Sequence, residues 1–368
     1  MLWRDTMKKI SYIELSSIFL TIIIALNTGI NIYILKQAAG VNSWIAVIIS
    51  YIIGIIPLLL TLYIANYHEE LNIFEKNKHL FGDYIGIIIN SFISIILFII
   101  AMTILYNIVS FINTQFLYRT PIFISIILLV ALAIYCSIKE INVISHVSII
   151  LMFINLLMFI LSNASLINEI KLDNLLPILK ISTNNLLMSS IKIAIINILP
   201  IITILIIPKN KITNKTKYNK SIIITYIIGF LISIITIIGT IGTLSIYLTN
   251  TFEFAEYMVL KNIKLFGFLE RTENIIATSY ITESYIYLTL LIYTIAKSFP
   301  RKNDKSFKYT NIIIGIVLII TTNFIFKNIT LFNNYVENNF IYIVSLLIIP
   351  YIIISCKIFI ENKCQLSK

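Results

Sequence analysis

Ten apolar runs of about 18 residues or more divide this 368-residue chain, and they decide its class. A hydrocarbon core of about 30 Å is crossed by roughly 20 apolar helical residues, so these runs predict membrane-spanning helices. They fall near 11–35, 44–66, 84–111, 121–138, 142–163, 184–207, 221–247, 274–297, 309–327 and 339–360. Composition agrees: 58% of residues are hydrophobic and 12% charged, whereas about a quarter of a soluble domain is charged. The expected fold class is an all-α integral membrane protein. The first run is too long for a signal-peptide core and lacks a small-residue cleavage site, which predicts no cleaved signal. Cys136, Cys356 and Cys364 are odd in number and far apart, so no disulfide framework is implied.

Orientation follows from the basic residues. With a cytoplasmic N-terminus, 19 of the 28 Lys and Arg fall in inside segments and 8 outside, with Lys192 within a span. Only an even number of spans keeps the basic C-terminus inside, so ten spans with both termini cytoplasmic is the consistent topology. The formal charge of +11 is then mostly orientation signal. The inside loops Lys209–Lys220 and Lys297–Lys308 are densely basic, with anionic lipid headgroups as their default partner. Neither offers a folded reading element, which argues against nucleic acid. Outside, Leu248–Glu273 interleaves Glu253, Glu256, Lys261 and Lys264 with Phe252, Phe254 and Tyr257. That pattern predicts an amphipathic segment in the headgroup layer, the simpler alternative being a tether.

Ten spans divide into two fives, about 11–163 and 184–360. Five is odd, so the second half enters the membrane from the opposite face, as an inverted repeat requires. In such folds the binding site lies between the first helices of the two halves. Each first helix has a polar interruption at similar depth: Asn27-Thr28-Gly29 in one, and Asn197 and Pro200, followed by Thr203, in the other. Pro200 has no amide hydrogen and leaves the Ile196 carbonyl without its helical partner. In hydrocarbon that carbonyl must be met by a neighbouring helix, a side chain, water or an ion. The alternative is a kinked packing helix whose Lys192 reaches toward the interface.

Charged groups within the bilayer point to function by default. Lys192 lies in the sixth span, and Glu283 in the middle of the eighth, on a face shared with Ser279 and Thr282. A Lys192–Glu283 ion pair is expected, acting either in ligand or ion coupling or as a bolt between the two spans. Asn27, Thr28, Gly29, Asn197, Pro200, Thr203 and Ser279 are the expected ligand contacts. His68, His79 and His146 lack zinc spacing, and neither a phosphate-binding glycine loop nor a nucleophile elbow occurs. No catalysis, metal or cofactor is expected.

Several local sequences carry a family resemblance over nearly the whole chain. They are Ala38-Ala-Gly40-Val-Asn-Ser-Trp44-Ile before the second span and Leu117-Tyr-Arg119-Thr120-Pro121 before the fourth. Asn174-Leu-Leu-Pro177-Ile-Leu precedes the sixth, Phe268-Leu-Glu270-Arg271-Thr-Glu273 the eighth, and Leu347-Ile-Ile-Pro350-Tyr lies in the tenth. In this order and spacing the chain resembles the B subunit of bacterial spore germinant receptors. These are the GerAB-type spore germination permeases of the amino acid–polyamine–organocation superfamily. The resemblance implies a LeuT-like ten-helix fold in the spore inner membrane, and A and C partner subunits. It also implies recognition of a small nutrient, commonly an amino acid.

The chain departs from that family at three places. Gly29 lacks the following proline, Pro200 and Ile202 stand where Gly and Glu are usual, and Tyr106 and Ser110 replace third-span charges. Tyr106 thereby joins the candidate ligand contacts, in an altered pocket whose ligand does not carry over. A ligand-sensing receptor subunit is the leading expectation. The alternatives are a proton- or cation-coupled amino-acid permease using Glu283 or Lys192, and a scaffold that has lost its ligand.

Overall fold

A lipid-exposed backbone must satisfy its own hydrogen bonds, and a helix does so within one segment. The computed structural model obeys that rule; it describes residues 9–31, 34–35, 39–178, 182–261, 272–300 and 303–366. Among the described residues, eight helices are long and apolar enough to cross a membrane, and two shorter apolar helices complete a set of ten. In chain order they are α1 (Tyr12–Leu26), α2 (Gly40–Asn66), α3 (Ile73–Gln115), α4 (Ile122–Ile138) and α5 (Glu140–Leu166). The second five are α6 (Thr183–Ile206), α7 (Lys215–Thr251), α8 (Glu273–Ser298), α9 (Asp304–Ile325) and α10 (Ile329–Cys364). A widened π turn, Asn27–Asn31, prolongs α1. Gly82, at φ 77°, breaks α3 after its first turns, a left-handed conformation that glycine adopts without a Cβ clash. Capping boxes open α1 (Ser11 with Glu14) and α3 (Asn72 with Glu75), satisfying amides that the helices cannot.

The packing has the exchange symmetry of an inverted repeat. α1 lies on α7 and its counterpart α6 lies on α2; α2 meets α7, α3 meets α8, and α4 meets α9. α5 packs on α8, and α10 correspondingly on α3. This is the LeuT-like arrangement of five plus five helices. α6 is the best covered of the long spans at 83% buried, whereas α5 and α9 bury only 22% and 28% and turn apolar faces outward to lipid.

The two ends of the bundle differ. At the end carrying the Lys209–Lys220 loop, Ile10 and Ile212 pair as a bridge, with Ile10 N–H on the Lys211 carbonyl at 3.0 Å and Thr213 N–H on the Ile10 carbonyl at 2.9 Å. Glu69, between α2 and α3, accepts from Lys209 Nζ at 2.7 Å and Lys215 Nζ at 3.1 Å. Lys209 also donates to Asn66 Oδ1. The Lys209 hydrogen bond holds the Glu69 carboxyl below its ordinary range, and Lys215 adds to the effect. Two lysines expected on lipid headgroups therefore fasten the loops together. A third, the buried Lys76, donates to the Ile64 and Ala65 carbonyls that end α2.

At the opposite end the short helix Ala255–Lys261 buries Ala255, Glu256, Tyr257, Val259 and Leu260 against α7 and α8. A headgroup-layer placement does not fit that burial. Its apolar side faces α7 and α8. The remainder of the Leu248–Glu273 stretch, residues 262–271, lies outside the described residues.

Candidate functional site

Five helices each contribute one stripe to the larger of two adjoining cavities. From α5 come Asn155, Phe159, Ser162, Asn163 and Leu166, spaced three and four apart and hence on one face. From α8 come Ile275, Ile276, Ser279, Tyr280 and Glu283 by the same rule, and from α7 Thr236 and Thr240. The short helix adds Glu256 and Val259, and the end of α1 adds Ile24, Asn27 and Thr28. The empty volume is ≈ 680 Å³, its open mouth included, with walls that are apolar and neutral-polar except for two carboxylates. No lysine, arginine or histidine lines it among the described residues.

The polar groups are held from behind. Asn155 Nδ2 lies 3.1 Å from Thr282 Oγ1, tying α5 to α8 beside Glu283. Tyr280 donates to Asn107 Oδ1 on α3. Phe111 stacks against Phe254, Tyr257 and Tyr280 with ring centres 4.9–5.4 Å apart, an aromatic roof between α3, the short helix and α8. Glu283 is 2% exposed and forms no salt bridge among the described residues.

Asn27 stands between this cavity and a second one of ≈ 270 Å³, lined also by Asn31, Tyr51, Ile193 and Ser233. Its carboxamide is used at both ends: Oδ1 accepts from Asn31 Nδ2 at 2.7 Å, and Nδ2 donates to Ser233 Oγ at 2.5 Å. Ser233 also meets Tyr51 Oη at 2.8 Å, and Tyr226 donates to the Tyr51 carbonyl at 2.9 Å. The interruption in α1 is thus hydrogen-bonded to α2 and α7.

Of the residues expected from sequence, Asn27, Thr28, Ser279 and Glu283 meet around the larger cavity, and Gly29 lies in the adjoining π turn. Lys192 is half-buried on α6 and makes no ion pair with Glu283. Asn197 does bend α6: it ends the helix Thr183–Ile196 and opens the piece Ile198–Thr203. Asn197, Pro200 and Thr203 line neither cavity. Thr203 Oγ1 donates to the Leu199 and Pro200 carbonyls at 3.0 Å, so its hydroxyl is turned back onto its own helix. Tyr106 is fully buried in another cluster, against Phe326 and Phe332. Sequence reasoning did not single out Asn155, a lone amide in an apolar run, or the inward-facing Glu256.

Among curated proteins no sequence matches this chain. Among solved structures it is similar to Mhp1, a nucleobase-cation-symport-1 family transporter in a closed conformation with bromovinylhydantoin bound. The identity is 12%, the TM-score 0.59, and the match covers 89% of this chain and 74% of that one, which establishes a shared fold. The family model described as spore germination protein matches residues 9–330, from the start of α1 to the start of α10. A ten-helix membrane bundle with a cavity beside an interrupted first helix, matched over that length, belongs to the spore germination protein family.

Proposed function

We propose that this chain is the membrane subunit of a spore germinant receptor, which binds a small nutrient in the larger cavity. The observation that carries this reading is the asymmetry of the two ends. The cavity extends toward the short helix, while the Glu69–Lys209–Lys215 contacts close the other end. Asn27, Thr28, Ser279 and Glu283 contact the ligand, and Asn197, Pro200 and Thr203 shape α6 without touching it. Binding shifts the equilibrium between this state and one in which the ends exchange roles, by the ligand's differential affinity for the two. Partner A and C subunits report the shift. The likeness to a transporter with a bound small molecule supports a ligand cleft of this kind.

On this reading both termini and the Lys209–Lys220 loop lie on the cytoplasmic side. In a variant lacking the native cysteines, single cysteine probes at the exposed Asn214 and Asn334 test this. An impermeant reagent added outside should label Asn334→Cys and spare Asn214→Cys. Disrupting the gene and scoring germination against a nutrient panel tests the function. Loss of the response to one nutrient class is expected, and unchanged germination on every nutrient would refute a receptor role. The second reading is a permease, favoured by Glu283, a carboxylate buried within a span of a transporter fold. Pump-like uptake of a nutrient by vegetative cells carrying the gene would establish it.

A further inference from the structure

We propose that three tyrosine hydroxyls between α2 and α10 form the latch that keeps the Lys209–Lys220 end of the bundle shut. Tyr351 on α10 is hydrogen-bonded to Thr61 on α2, both buried. The Thr61 hydroxyl donates to the Pro57 carbonyl at 2.8 Å, so its oxygen is left to accept the Tyr351 proton. Farther toward this end, Asn362 Nδ2 donates to Tyr63 Oη at 3.1 Å. Tyr67, which closes α2, donates to Glu361 Oε2. All three α10 partners lie on one continuous helix, Ile348–Leu366, so the bonds form and break with a single movement.

Tyr351 also lines a small apolar pocket walled by Phe74 and Leu97 of α3, Ile202 of α6, and Leu347 and Ile354 of α10. Exchanging the repeats, α1 for α6, α5 for α10 and α8 for α3, turns three walls of the larger cavity into the walls of this pocket. The stretches match as well: the second half of α5 or α10, and the first part of α8 or α3. The pocket is therefore the repeat counterpart of the larger cavity, at the opposite end of the bundle. The two differ in how the equivalent wall is held. Ser162 and Asn163, on α5 beside the larger cavity, donate to the Phe159 carbonyl of their own helix. The equivalent part of α10 is bonded across to α2, and widening the pocket requires α10 to leave it. The latch concerns which end opens, does not rest on the receptor reading, and is tested without a ligand.

The full-length chain, lacking its native cysteines, is placed in lipid nanodiscs with one probe at a time. Leu97→Cys and Ile202→Cys report the pocket through their rate of reaction with a hydrophilic methanethiosulfonate. Ala133→Cys, buried on α4 and lining neither the pocket nor the larger cavity, reports general loosening. Tyr63→Phe, Tyr67→Phe and Tyr351→Phe each remove one hydroxyl and keep the ring. The net worth of one such bond is a change of about two- to tenfold in the open population, so each variant should raise pocket labelling by that factor. The triple variant should exceed every single one, with Ala133→Cys unchanged. The latch is refuted if the triple variant labels both pocket probes at the parent rate, or if Ala133→Cys gains as much as they do. Should the triple variant fail to fold, Tyr351→Phe alone decides by the same criteria. If the pocket opens in these variants while spores lacking the gene germinate normally, the receptor reading fails and the latch stands.

Discussion

Asn27 and Asn197 occupy equivalent places in the two repeats, each ending the first helical stretch of its half, yet their surroundings are opposite. Asn27 uses both ends of its carboxamide and separates two cavities. Asn197 is 4% exposed, its Nδ2 has no hydrogen-bond partner among the described residues, and it borders neither cavity. The same residue at the same kind of break therefore does different work. In the first half the polar interruption is built into a network beside the larger cavity. In the second it is a bend inside the best-covered span, whose following loop is held by Glu69. An inverted repeat duplicates the path of the backbone but not the chemistry attached to it.

The sharpest way to break this comparison is Asn27→Leu. It removes the acceptor of Asn31 Nδ2, leaving that buried amide without its bond, and takes the Asn27 donor from Ser233. Each unsatisfied buried group costs about 1–3 kcal/mol, so a loss of about 2–4 kcal/mol is expected. Thermal melts in nanodiscs would measure it. A change below about 0.5 kcal/mol would mean that the network does not hold the α1 break.

Next comes the contact that keeps α2 and α7 close enough for this network. A Cβ at Gly54 would lie 2.1 Å from the Tyr226 hydroxyl, whose bond to the Tyr51 carbonyl fixes the ring. Gly54→Ala should destabilise by about 1–3 kcal/mol through overpacking. Gly54→Ala with Tyr226→Phe should recover part of that loss, because the clashing oxygen is gone. Strictly additive losses would show that the clash is relieved elsewhere.

A smaller effect is expected where the second half is fastened. Glu69→Gln removes a partly exposed carboxylate shared by two lysines, which is worth about 1 kcal/mol or less. Its pH dependence has a definite sign. The folded-state pKa is depressed by the Lys209 and Lys215 bonds, so the stabilisation is full above the unfolded value and is lost as pH falls through the folded one. In wild type, melting between about pH 5 and pH 3 should lose this contribution, and Glu69→Gln should flatten that part of the profile. High salt should narrow the gap between the two proteins.

Ten spans and the repeat were legible because hydropathy reports length directly and α1, α6 and their neighbours are separated by charged or polar loops. Asn27, Thr28, Ser279 and Glu283 were legible because polar residues stand out in apolar helices. The relation of Lys192 to Glu283 was not. Sequence places each residue on its own helix but does not specify how α6 and α8 are rotated toward each other. Glu256 was hidden for a different reason: alternating aromatic and charged residues read alike whether the apolar side meets lipid or protein. Asn155 carried a signal, a lone amide amid Phe153, Ile154, Leu156 and Leu157, of the kind used for Asn27. Local spacing alone did not reveal that it faces Thr282 across two helices.

The least disruptive substitution is the most discriminating for the second half. Asn197 already fails to satisfy its Nδ2, so replacing it with leucine removes a desolvated polar group and adds apolar contact among Ile193, Ile198 and Ile201. Truncating one partner of a buried hydrogen bond is costly, but here no side-chain bond is lost, and the balance favours the variant. Asn197→Leu should match or exceed wild-type stability, by about 0–1 kcal/mol, with the bend preserved by Pro200, which still withholds an amide from the Ile196 carbonyl. The same variant should leave the germination response to the nutrient unchanged, since Asn197 lies outside the lining of the larger cavity. A marked loss of stability would mean that Asn197 has a partner, such as ordered water, in the folded protein. A loss of that response at unchanged stability would bring the α6 break into the proposed ligand site and remove the asymmetry between the two halves.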